Sequence, residues 1–415
     1  MAHGKFEKLA AVPGNPNWEQ LICRRRELYS RKDDIRSPFE RDYTRVLHSM
    51  AYRRLKHKTQ VFFNIDNDHI CTRMEHVSHV ESVSATIAKE LGLNAELTKA
   101  ISIGHDLGHA PFGHQGEFII RKLSEEHLGQ SFWHEQNGLR FVDRIELLED
   151  NYKVKRNLDL TCAVRDGIVS HCGEADQNGI RPRDISIPIE ALDQPGKYQA
   201  LTWEGCVVKM ADKIAYVGRD IEDAVTLGLL DPSARAELLR MARVYDQKVL
   251  NTTVIMHNMI LDICRNSSPE EGIRLSGEFD RQLKEIKDFN YKHIYHHPRL
   301  DPYIRYSELV INQLFETLLA AYEGKHSWEG LEAGRPFAPT LVSSFGEWLA
   351  KYCDPGIVPA GRLLDIALGC ENEKIYRELE TRELYVQAII DFISGMTDRF
   401  AVALFNELLQ FSAHG

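Results

Sequence analysis

The sequence predicts an all-α protein, and three observations support that prediction. In most segments of the chain, apolar residues recur at spacings of three and four, which is the pattern of one face of an α-helix. Strand-like patterns are weak, as in the short stretch TQVFFN (59–64). Hydrophobic residues make up 43% of the 415 residues and charged residues make up 27%, which is typical of a globular protein with a large core.

The first forty residues are predicted to form a basic N-terminal segment. The whole chain carries a net charge of −10, so a phosphate-rich ligand requires a local concentration of positive charge. The stretches LICRRRELYSRKDD (21–34) and YRRLKHK (52–58) provide such a concentration. They are typical of a solvated helix face, and they also suit a binding patch for single-stranded DNA or a regulatory nucleotide. The cations concerned are Arg24, Arg25, Arg26, Arg53, Arg54, Lys56 and Lys58.

The sequence has no pattern of a secreted or membrane protein. It begins with MAHGKFEKLAAVPGNPNW, which lacks a basic start followed by an apolar run. No stretch approaches the roughly 18 consecutive apolar residues that a membrane span requires. The eight cysteines include no CxxC pair. These features favour a cytoplasmic protein with reduced thiols and no membrane partner.

Two consecutive helices are predicted around the richest cluster of histidines. The segment EHVSHVESVSATIAKELG (75–92) carries an apolar stripe that includes Val77 and Val80, and Gly92 ends this helix. Asn94 then caps the next helix, AELTKAISIGHD. Two antiparallel helices joined by a short turn bring their far ends together. The pattern therefore predicts that His76 and His105, which lie at those far ends, are neighbours.

Three further segments are predicted to be helical, and three are predicted to be loops. The helical segments are LTCAVRDGIVSHCGE (160–174), EGCVVKMADKIAYVGRDIEDAV (204–225) and LYVQAIIDFISGMTDRFAVALFNELL (384–409). The predicted loops are the Gly/Pro/Asp-rich segment 173–198, RNSSPEEG (265–272) and HSWEGLEAGRPFAPT (326–340). We predict one helical core over residues 41–230 and a helical C-terminal region over residues 231–415 that packs on this core.

Adjacent His105 and Asp106 form a candidate metal-binding pair within ISIGHDLGHAPFGHQGE (101–117). An imidazole and a carboxylate together suit a divalent cation. His76 lies off the apolar stripe of its helix, and Asp212 is an acid within an otherwise apolar helix, where it requires a partner. Two histidines and two carboxylates leave coordination positions open for water, which is typical of a catalytic metal site.

Several blocks of the sequence resemble, in the same order, the signature blocks of the deoxynucleoside triphosphate triphosphohydrolases (dGTPase-like proteins) of the HD superfamily. The resemblance is strong over residues 40–230 and weaker beyond them. It implies a helical HD-domain core with a helical C-terminal extension. The blocks are RDYTRVLHSMAYRRLKHKTQVF (41–62), TRMEH (72–76), HDLGHAPFGHQGE (105–117), FWHEQNGLRFV (132–142), DGIVSHCGE (166–174) and DKIAYVGRDIED (212–223), with YKHIYHHP (291–298) and ISGMTDRFA (393–401) further on.

The resemblance implies a role for each matching residue. The implied metal ligands are His76, His105, Asp106 and Asp212. The residues implied to lie around the scissile phosphate are His109, His114, Glu117 and His134. Arg73 and Lys213 are implied to hold phosphate oxygens, and Gln60, Tyr216 and Asp220 are implied to contact the deoxyribose.

Hydrolysis at the α-phosphorus requires an oriented water, stabilisation of the developing charge and a proton for the leaving 5′-oxygen. A helical turn from His105 to His109 would place His109 beside the metal. Glu117 or Glu135 would orient His109 or His134, and the residues leave open which histidine is the acid and which is the base. Val61, whose side chain is stiff, would close the space that a 2′-hydroxyl requires.

The sequence therefore predicts metal-dependent hydrolysis of deoxynucleoside triphosphates, dGTP or others, to a deoxynucleoside and inorganic triphosphate. Mg²⁺ and Mn²⁺ are the first expected metals, and Fe, Co, Ni and Zn ions also suit the ligand set. The resemblance further implies a homo-oligomer, expected to be a hexamer, and an allosteric dNTP site. Two alternatives stay open: an HD-type phosphodiesterase or nuclease that acts on single-stranded nucleic acid or another nucleotide, and a nucleotide-regulated assembly that binds nucleic acid.

Overall fold

The structure is a computed structural model, and it describes residues 4–28, 34–62, 69–150, 152–172, 178–245 and 252–410. These residues form eighteen α-helices and one two-stranded sheet, so the prediction of an all-α protein is confirmed. The helices are α1 (Trp18–Ile22), α2 (Pro38–His48), α3 (Met50–Arg54), α4 (Arg73–Leu91), α5 (Ala95–Gly104), α6 (Gly113–Leu128), α7 (His134–Arg140), α8 (Cys162–Ser170), α9 (Trp203–Thr226), α10 (Pro232–Tyr245), α11 (Thr252–Asn266), α12 (Gly277–Asn290), α13 (Asp301–Leu319), α14 (Ser327–Gly334), α15 (Pro339–Tyr352), α16 (Arg362–Leu368), α17 (Arg382–Ser394) and α18 (Asp398–Leu409). The strands are β1 (Leu147–Glu149) and β2 (Lys155–Asn157). Among the described residues, no helix combines the length and the apolar character that crossing a membrane demands.

The chain divides into two compact units, and each is built from segments that are distant in sequence. Unit 1 comprises Met1–Leu47, Gln60–Asp106 and Asp159–Asp301. Unit 2 comprises His48–Thr59, Leu107–Leu158 and Pro302–Gly415. The division into residues 1–40, 41–230 and 231–415 that the sequence suggests follows the order of motifs along the chain, and it stays a prediction.

The centre of unit 1 is the antiparallel pair α4 and α5. The carboxylate of Glu75 accepts a hydrogen bond from the backbone N–H of Thr72 at 2.7 Å, which closes the start of α4. Gly92 follows α4 with a φ of 80°, a left-handed conformation that favours glycine. The side chain of Asn94 then caps α5 by accepting from the N–H of Glu96 at 2.9 Å. The predicted helix ends are therefore confirmed.

Helices α8 and α9 pack against α5, and α9 also packs against α4. Two glycines allow the close crossing of α5 and α8. A methyl group at Gly104 would lie 2.8 Å from the side chain of Ile168, and one at Gly167 would lie 2.5 Å from the side chain of Ile101. The isoleucine of each helix therefore packs against the glycine of the other helix. These two contacts fix the positions of the helix ends.

Unit 2 contains the remaining helical bundle and the small sheet. Helix α6 packs on α17, and α15 packs on α14, α16, α17 and α18. Strands β1 and β2 are antiparallel, with Leu147 opposite Asn157 and Glu149 opposite Lys155. A π-helical turn, Phe141–Ile145, extends α7. A second π-helical turn, Tyr291–Tyr295, extends α12 in unit 1.

Two details of the sequence prediction are wrong. Segment 326–340 was predicted to be a loop, but it contains α14 and the start of α15. The spacing of buried Trp328 and Leu331 is helical, although glycines surround it. The single helix predicted over 384–409 is two helices, because Thr397 caps α18 by accepting from the N–H of Phe400 at 3.2 Å. Described residues 59–62 of TQVFFN form no strand, and residues 63–64 lie outside the described part.

The other predicted loops agree with the structure. In segment 173–198, the described residues 178–198 are irregular apart from a short 3-10 turn, Ile189–Ala191, and residues 173–177 lie outside the described part. In the second predicted loop, α11 ends at Asn266 and α12 begins at Gly277. The predicted helices at 160–174 and 204–225 are confirmed as α8 and α9 over their described residues.

Candidate active site

Three predicted metal ligands meet in unit 1. His76 lies in the first turn of α4, His105 directly follows α5, and Asp212 lies in the middle of α9. Asp212 Oδ1 is 3.0 Å from His76 Nε2 and 3.9 Å from His105 Nε2. One ligand atom from each of the three residues falls within 4.8 Å of the others. The two imidazole rings are 5.5 Å apart, so the prediction that His76 and His105 are neighbours is confirmed.

The ring of His105 is fixed in an orientation that suits a metal ligand. Its Nδ1 lies 2.6 Å from the carbonyl oxygen of Ser102 and donates to it, so the lone pair is on Nε2. Nε2 is buried and has no hydrogen-bond partner among the described residues. A buried nitrogen with a lone pair is costly unless something binds it, and this arrangement is common in metal-ligating histidines. The donor set therefore fits a divalent cation.

Asp106 is held by a buried arginine. Arg73 Nη1 donates to Asp106 Oδ2 at 2.9 Å, while Asp106 Oδ1 lies 3.4 Å from His105 Nε2. Arg73 is only 1% exposed, and its Nε and Nη2 have no hydrogen-bond partner among the described residues. A buried guanidinium with unsatisfied donors fits oxygens of a phosphate group, which accept in the same planar geometry.

The charges of His76 and Asp212 depend on each other. Burial would lower the pKa of His76, but the hydrogen bond to Asp212 and the nearby carboxylates raise it above its usual range. Burial likewise opposes ionisation of Asp212, yet His76 and His105 hold its pKa at about 2. A cation that binds here would release the proton of His76, because a metal ligates neutral imidazole.

His171 is the third histidine of unit 1 in this region, after His76 and His105. It directly follows α8, and its ring lies 4.9 Å from the ring of His105. One ligand atom each from His105, Asp106 and His171 also falls within 4.8 Å of the others. The sequence block DGIVSHCGE contains His171, but nothing in its local pattern marked the residue as part of the cluster.

The predicted sugar-binding residues of unit 1 lie on α9 and before α4. Tyr216 and Asp220 are on α9, and Lys213 is half-buried on the same helix beside Asp212. Gln60 and Val61 are half-buried, and Gln60 Oε1 is a buried atom with no hydrogen-bond partner among the described residues.

Asp220 has a partner that the sequence did not reveal. The hydroxyl of Tyr295, in the π-helical turn after α12, donates to Asp220 Oδ2. Burial and the charge of Asp220 raise the pKa of Tyr295 well above its usual range, so its hydroxyl is a donor at neutral pH. The block YKHIYHHP (291–298) contributed to the family resemblance, but the sequence assigned no role to Tyr295 within it.

Unit 2 holds a second cluster, formed by His109, His134 and Glu117. The rings of His109 and His134 are stacked, 3.8 Å apart at 19°. Glu117 Oε2 lies 3.0 Å from His134 Nδ1, and Glu117 Oε1 accepts from Arg121 at 3.1 Å. Burial opposes ionisation of Glu117, but His134 and His114 hold its pKa far below the usual range. Glu117 therefore is a charged carboxylate that orients a histidine.

Two further predicted residues, Glu135 and His114, lie beside this cluster. Glu135 Oε2 is 3.5 Å from His134 Nδ1, so Glu117 is the closer carboxylate. His114 has a 77% exposed side chain, and its ring lies 5.6 Å from that of His109.

The prediction of a helical turn from His105 to His109 is wrong, because α5 ends at Gly104 and the following residues form tight turns.

A buried lysine positions the segment that carries His109. Lys58 Nζ donates to the carbonyl oxygens of His109 and of Ser394, the latter at 3.0 Å. Asp398 accepts from the backbone N–H of Phe112 at 2.8 Å and from that of Thr59 at 3.0 Å. Phe112 has a φ of 65°, so these bonds hold a strained backbone in place.

Lys58 and two arginines of the basic stretches form contacts within the protein. Arg24 forms an ion pair with buried Asp42 at 2.5 Å, and Arg54 forms one with Glu146 at 2.5 Å. Their charges are therefore neutralised within the protein. Among the described residues of these stretches, the exposed cations are Arg25, Arg26, Arg53 and Lys56.

Comparisons with known proteins point to one family. The HD domain family model matches residues 73–217. The chain is 29% identical to the deoxyguanosinetriphosphate triphosphohydrolase-like protein of Clostridium tetani, over 97% of this chain and 94% of that protein. It is 35% identical to the protein of the same name from Caldanaerobacter subterraneus, over 68% of this chain and 73% of that protein. It is 30% identical to the one from Geobacter metallireducens, over 91% of this chain and 90% of that protein.

The relatives from Clostridium tetani and Geobacter metallireducens align with more than nine tenths of the chain, and the HD domain match spans the segments that carry the histidine and aspartate clusters. The chain therefore belongs to the family of HD-domain, deoxyguanosinetriphosphate triphosphohydrolase-like proteins.

Proposed function

We propose that this protein is a metal-dependent hydrolase that converts deoxynucleoside triphosphates, dGTP among them, into a deoxynucleoside and inorganic triphosphate. The observation that carries the proposal is the group of buried His76, buried His105 and partly buried Asp212, whose ligand atoms lie within 4.8 Å of one another. Family membership supports the substrate class, since the relatives are named for dGTP triphosphohydrolysis.

His76, His105, Asp106 and Asp212 are proposed to hold the metal. Mg²⁺ and Mn²⁺ are the first candidates, and Fe, Co, Ni and Zn ions also suit these ligands. When bound, the cation supplies positive charge that polarises an α-phosphate oxygen and activates water. Arg73 binds phosphate oxygens through the guanidinium donors that Asp106 does not use, and Lys213 adds a second positive charge.

The histidines of unit 2 are proposed to move protons. Glu117 accepts from His134 Nδ1, which leaves Nε2 as the nitrogen for proton transfer. His109 stacks on His134, so a positive charge that develops on one ring is felt by the other. His114 lies at the exposed edge of the same cluster, where it meets solvent or substrate. In the reaction, one histidine accepts a proton from the attacking water, the water oxygen binds the α-phosphorus, the P–O5′ bond breaks, and a protonated histidine donates its proton to O5′.

The deoxyribose is proposed to lie against Gln60, Val61, Tyr216 and Asp220. Gln60 Oε1 needs a donor, which a 3′-hydroxyl supplies. Asp220, fixed by Tyr295, accepts from a sugar hydroxyl. Val61 and the ring of Tyr216 occupy the space of a 2′-hydroxyl, so ribonucleotides are expected to be poor substrates.

Three further proposals rest on resemblance to the family: a homo-oligomer, expected to be a hexamer, an allosteric dNTP site, and a catalytic core within residues 41–230. A cytoplasmic location is proposed from the sequence features given above. Binding of single-stranded DNA is a further candidate, and the exposed cations Arg25, Arg26, Arg53 and Lys56 favour it. Such binding should weaken steeply with added salt.

The test is to incubate the protein with each dNTP and each NTP, singly and in mixtures, with Mg²⁺ or Mn²⁺. We expect triphosphate and a deoxynucleoside, no turnover after chelation, and a clear preference for dNTPs. His105→Ala should abolish turnover and remove bound metal while the protein stays helical. Pyrophosphate with a monophosphate would contradict the proposed bond cleavage, and turnover of a phosphodiester alone would favour the phosphodiesterase alternative.

A further inference from the structure

His171 is built into unit 1 in the same way as His105. Each histidine is the residue that directly follows the last turn of a helix, α8 and α5 respectively, in a right-handed helical conformation. Each ring places Nδ1 next to the carbonyl oxygen three residues earlier, at 2.7 Å from Ile168 and at 2.6 Å from Ser102. Both side chains are buried. The two imidazoles therefore share one tautomer, with the proton on Nδ1 and the lone pair on Nε2.

The crossing of α5 and α8 brings these two helix ends together. The contacts of Gly104 with Ile168 and of Gly167 with Ile101 lock the helices at a short distance. The rings of His105 and His171 are consequently 4.9 Å apart, at an angle of 74°. Two imidazoles with the same tautomer and adjacent, tilted rings can direct both lone pairs to one point.

The carboxylates share the same neighbourhood. His105 belongs to two groups whose ligand atoms lie within 4.8 Å of one another: one with His76 and Asp212, the other with Asp106 and His171. Because His105 Nε2 can bind only one ion, both groups converge on the ion that this nitrogen binds.

We propose that His171 is a fifth metal ligand, so that one divalent cation in unit 1 is bound by three imidazoles and two carboxylates. This inference rests on the proposed metal-dependent function. Three nitrogen ligands favour a first-row transition ion such as Mn²⁺, Fe²⁺ or Co²⁺ over Mg²⁺, which prefers oxygen ligands.

The experiment uses the full-length protein loaded with Co²⁺. A histidine that binds paramagnetic Co²⁺ through Nε2 and donates Nδ1–H to a carbonyl gives a strongly shifted proton resonance that disappears in D₂O. The Co²⁺ and Mg²⁺ affinities are measured in parallel by equilibrium dialysis. The variants are His171→Ala and His171→Gln, of which the second keeps most of the side-chain volume. His79→Ala is the matched control, because His79 lies on α4 outside the ligand groups.

We expect one Co²⁺ per chain, and the loss of one exchangeable resonance in both His171 variants. Their dissociation constant for Co²⁺ should rise about tenfold or more, with a smaller change for Mg²⁺. His79→Ala should leave the spectrum and both affinities unchanged. Co²⁺ binding with an unaltered spectrum and affinity in the folded His171 variants overturns this inference alone. If the unmodified protein binds no Co²⁺ and no Mg²⁺, the proposed metal-dependent function fails as well.

Discussion

The carboxylate of Glu117 sets the tautomer of His134, and this contact has a kinetic consequence. Glu117→Gln keeps the size of the side chain but removes the charge that holds the Nδ1 proton of His134. We expect kcat to fall by roughly 10²-fold or more, with little change in bound metal, since proton transfer contributes on the order of 10²–10⁴. Steady-state kinetics and elemental analysis test this.

Glu135→Gln is the matched control, because Glu135 is the more distant carboxylate at 3.5 Å from His134. Its effect on kcat should be clearly smaller. Equal losses in the two variants would mean that neither carboxylate has the specific orienting role assigned to Glu117.

Asp223 makes stability depend on pH. Burial and the charge of Asp220 raise its pKa from 3.8 to about 7, although the N–H of Cys71 and the charge of Arg219 act in the opposite direction. The folded protein therefore keeps this proton at pH values where the unfolded chain has lost it. The stability that the group contributes is complete below about pH 4 and is lost as the pH rises towards 7.

Asp223→Asn removes this titration. Thermal unfolding gives the melting temperature of the variant and of the unmodified protein at each pH. The melting temperature of the variant minus that of the unmodified protein should be larger at pH 8 than at pH 5. Glu270→Gln changes an exposed carboxylate and should show the same small difference at both pH values. If the melting-temperature difference between Asp223→Asn and the unmodified protein does not grow with pH, the raised pKa assigned to Asp223 is wrong.

The crossing of α5 and α8 depends on the absence of a side chain at Gly167. In Gly167→Ala, the added methyl would meet Ile101 at 2.5 Å and force the helices apart. We expect a loss of about 1–3 kcal/mol in the free energy of unfolding, measured by urea denaturation. Gly277→Ala should cost nothing, since nothing lies within 4 Å of its added methyl.

A double variant isolates this contact. Ile101→Ala alone should cost about 2–5 kcal/mol, because it opens a cavity. Combined with Gly167→Ala, the loss should be smaller than the sum, because the new methyl partly fills that cavity. Strict additivity would show that the two positions do not touch.

Helices whose ends carry recognisable capping residues could be predicted from the sequence. These predicted helix ends placed part of the candidate site. Gly92 and Asn94 marked the turn between α4 and α5, and the geometry of an antiparallel pair then brought His76 to His105. Asp212 stood out because a carboxylate in an apolar helix needs a partner. Helix α14 was missed, since Trp328 is followed by glycine-rich sequence that resembles a loop.

Contacts between distant segments could not be predicted in the same way. The approach of His171 to His105 depends on a helix crossing set by glycines, which leaves no local pattern in the sequence. The bond of Tyr295 to Asp220 joins residues 75 positions apart. The two units interleave along the chain, so that Asp106 ends a segment of one unit and Leu107 begins a segment of the other.

At the scale of the whole molecule, the central proposal is that the protein hydrolyses deoxynucleoside triphosphates at the α-phosphorus. The most direct test is hydrolysis of dGTP in water enriched in ¹⁸O, with mass spectrometry of both products. We expect one ¹⁸O atom in inorganic triphosphate and none in deoxyguanosine, because water attacks the α-phosphorus. Label in the nucleoside, or pyrophosphate with dGMP as the first products, would contradict it.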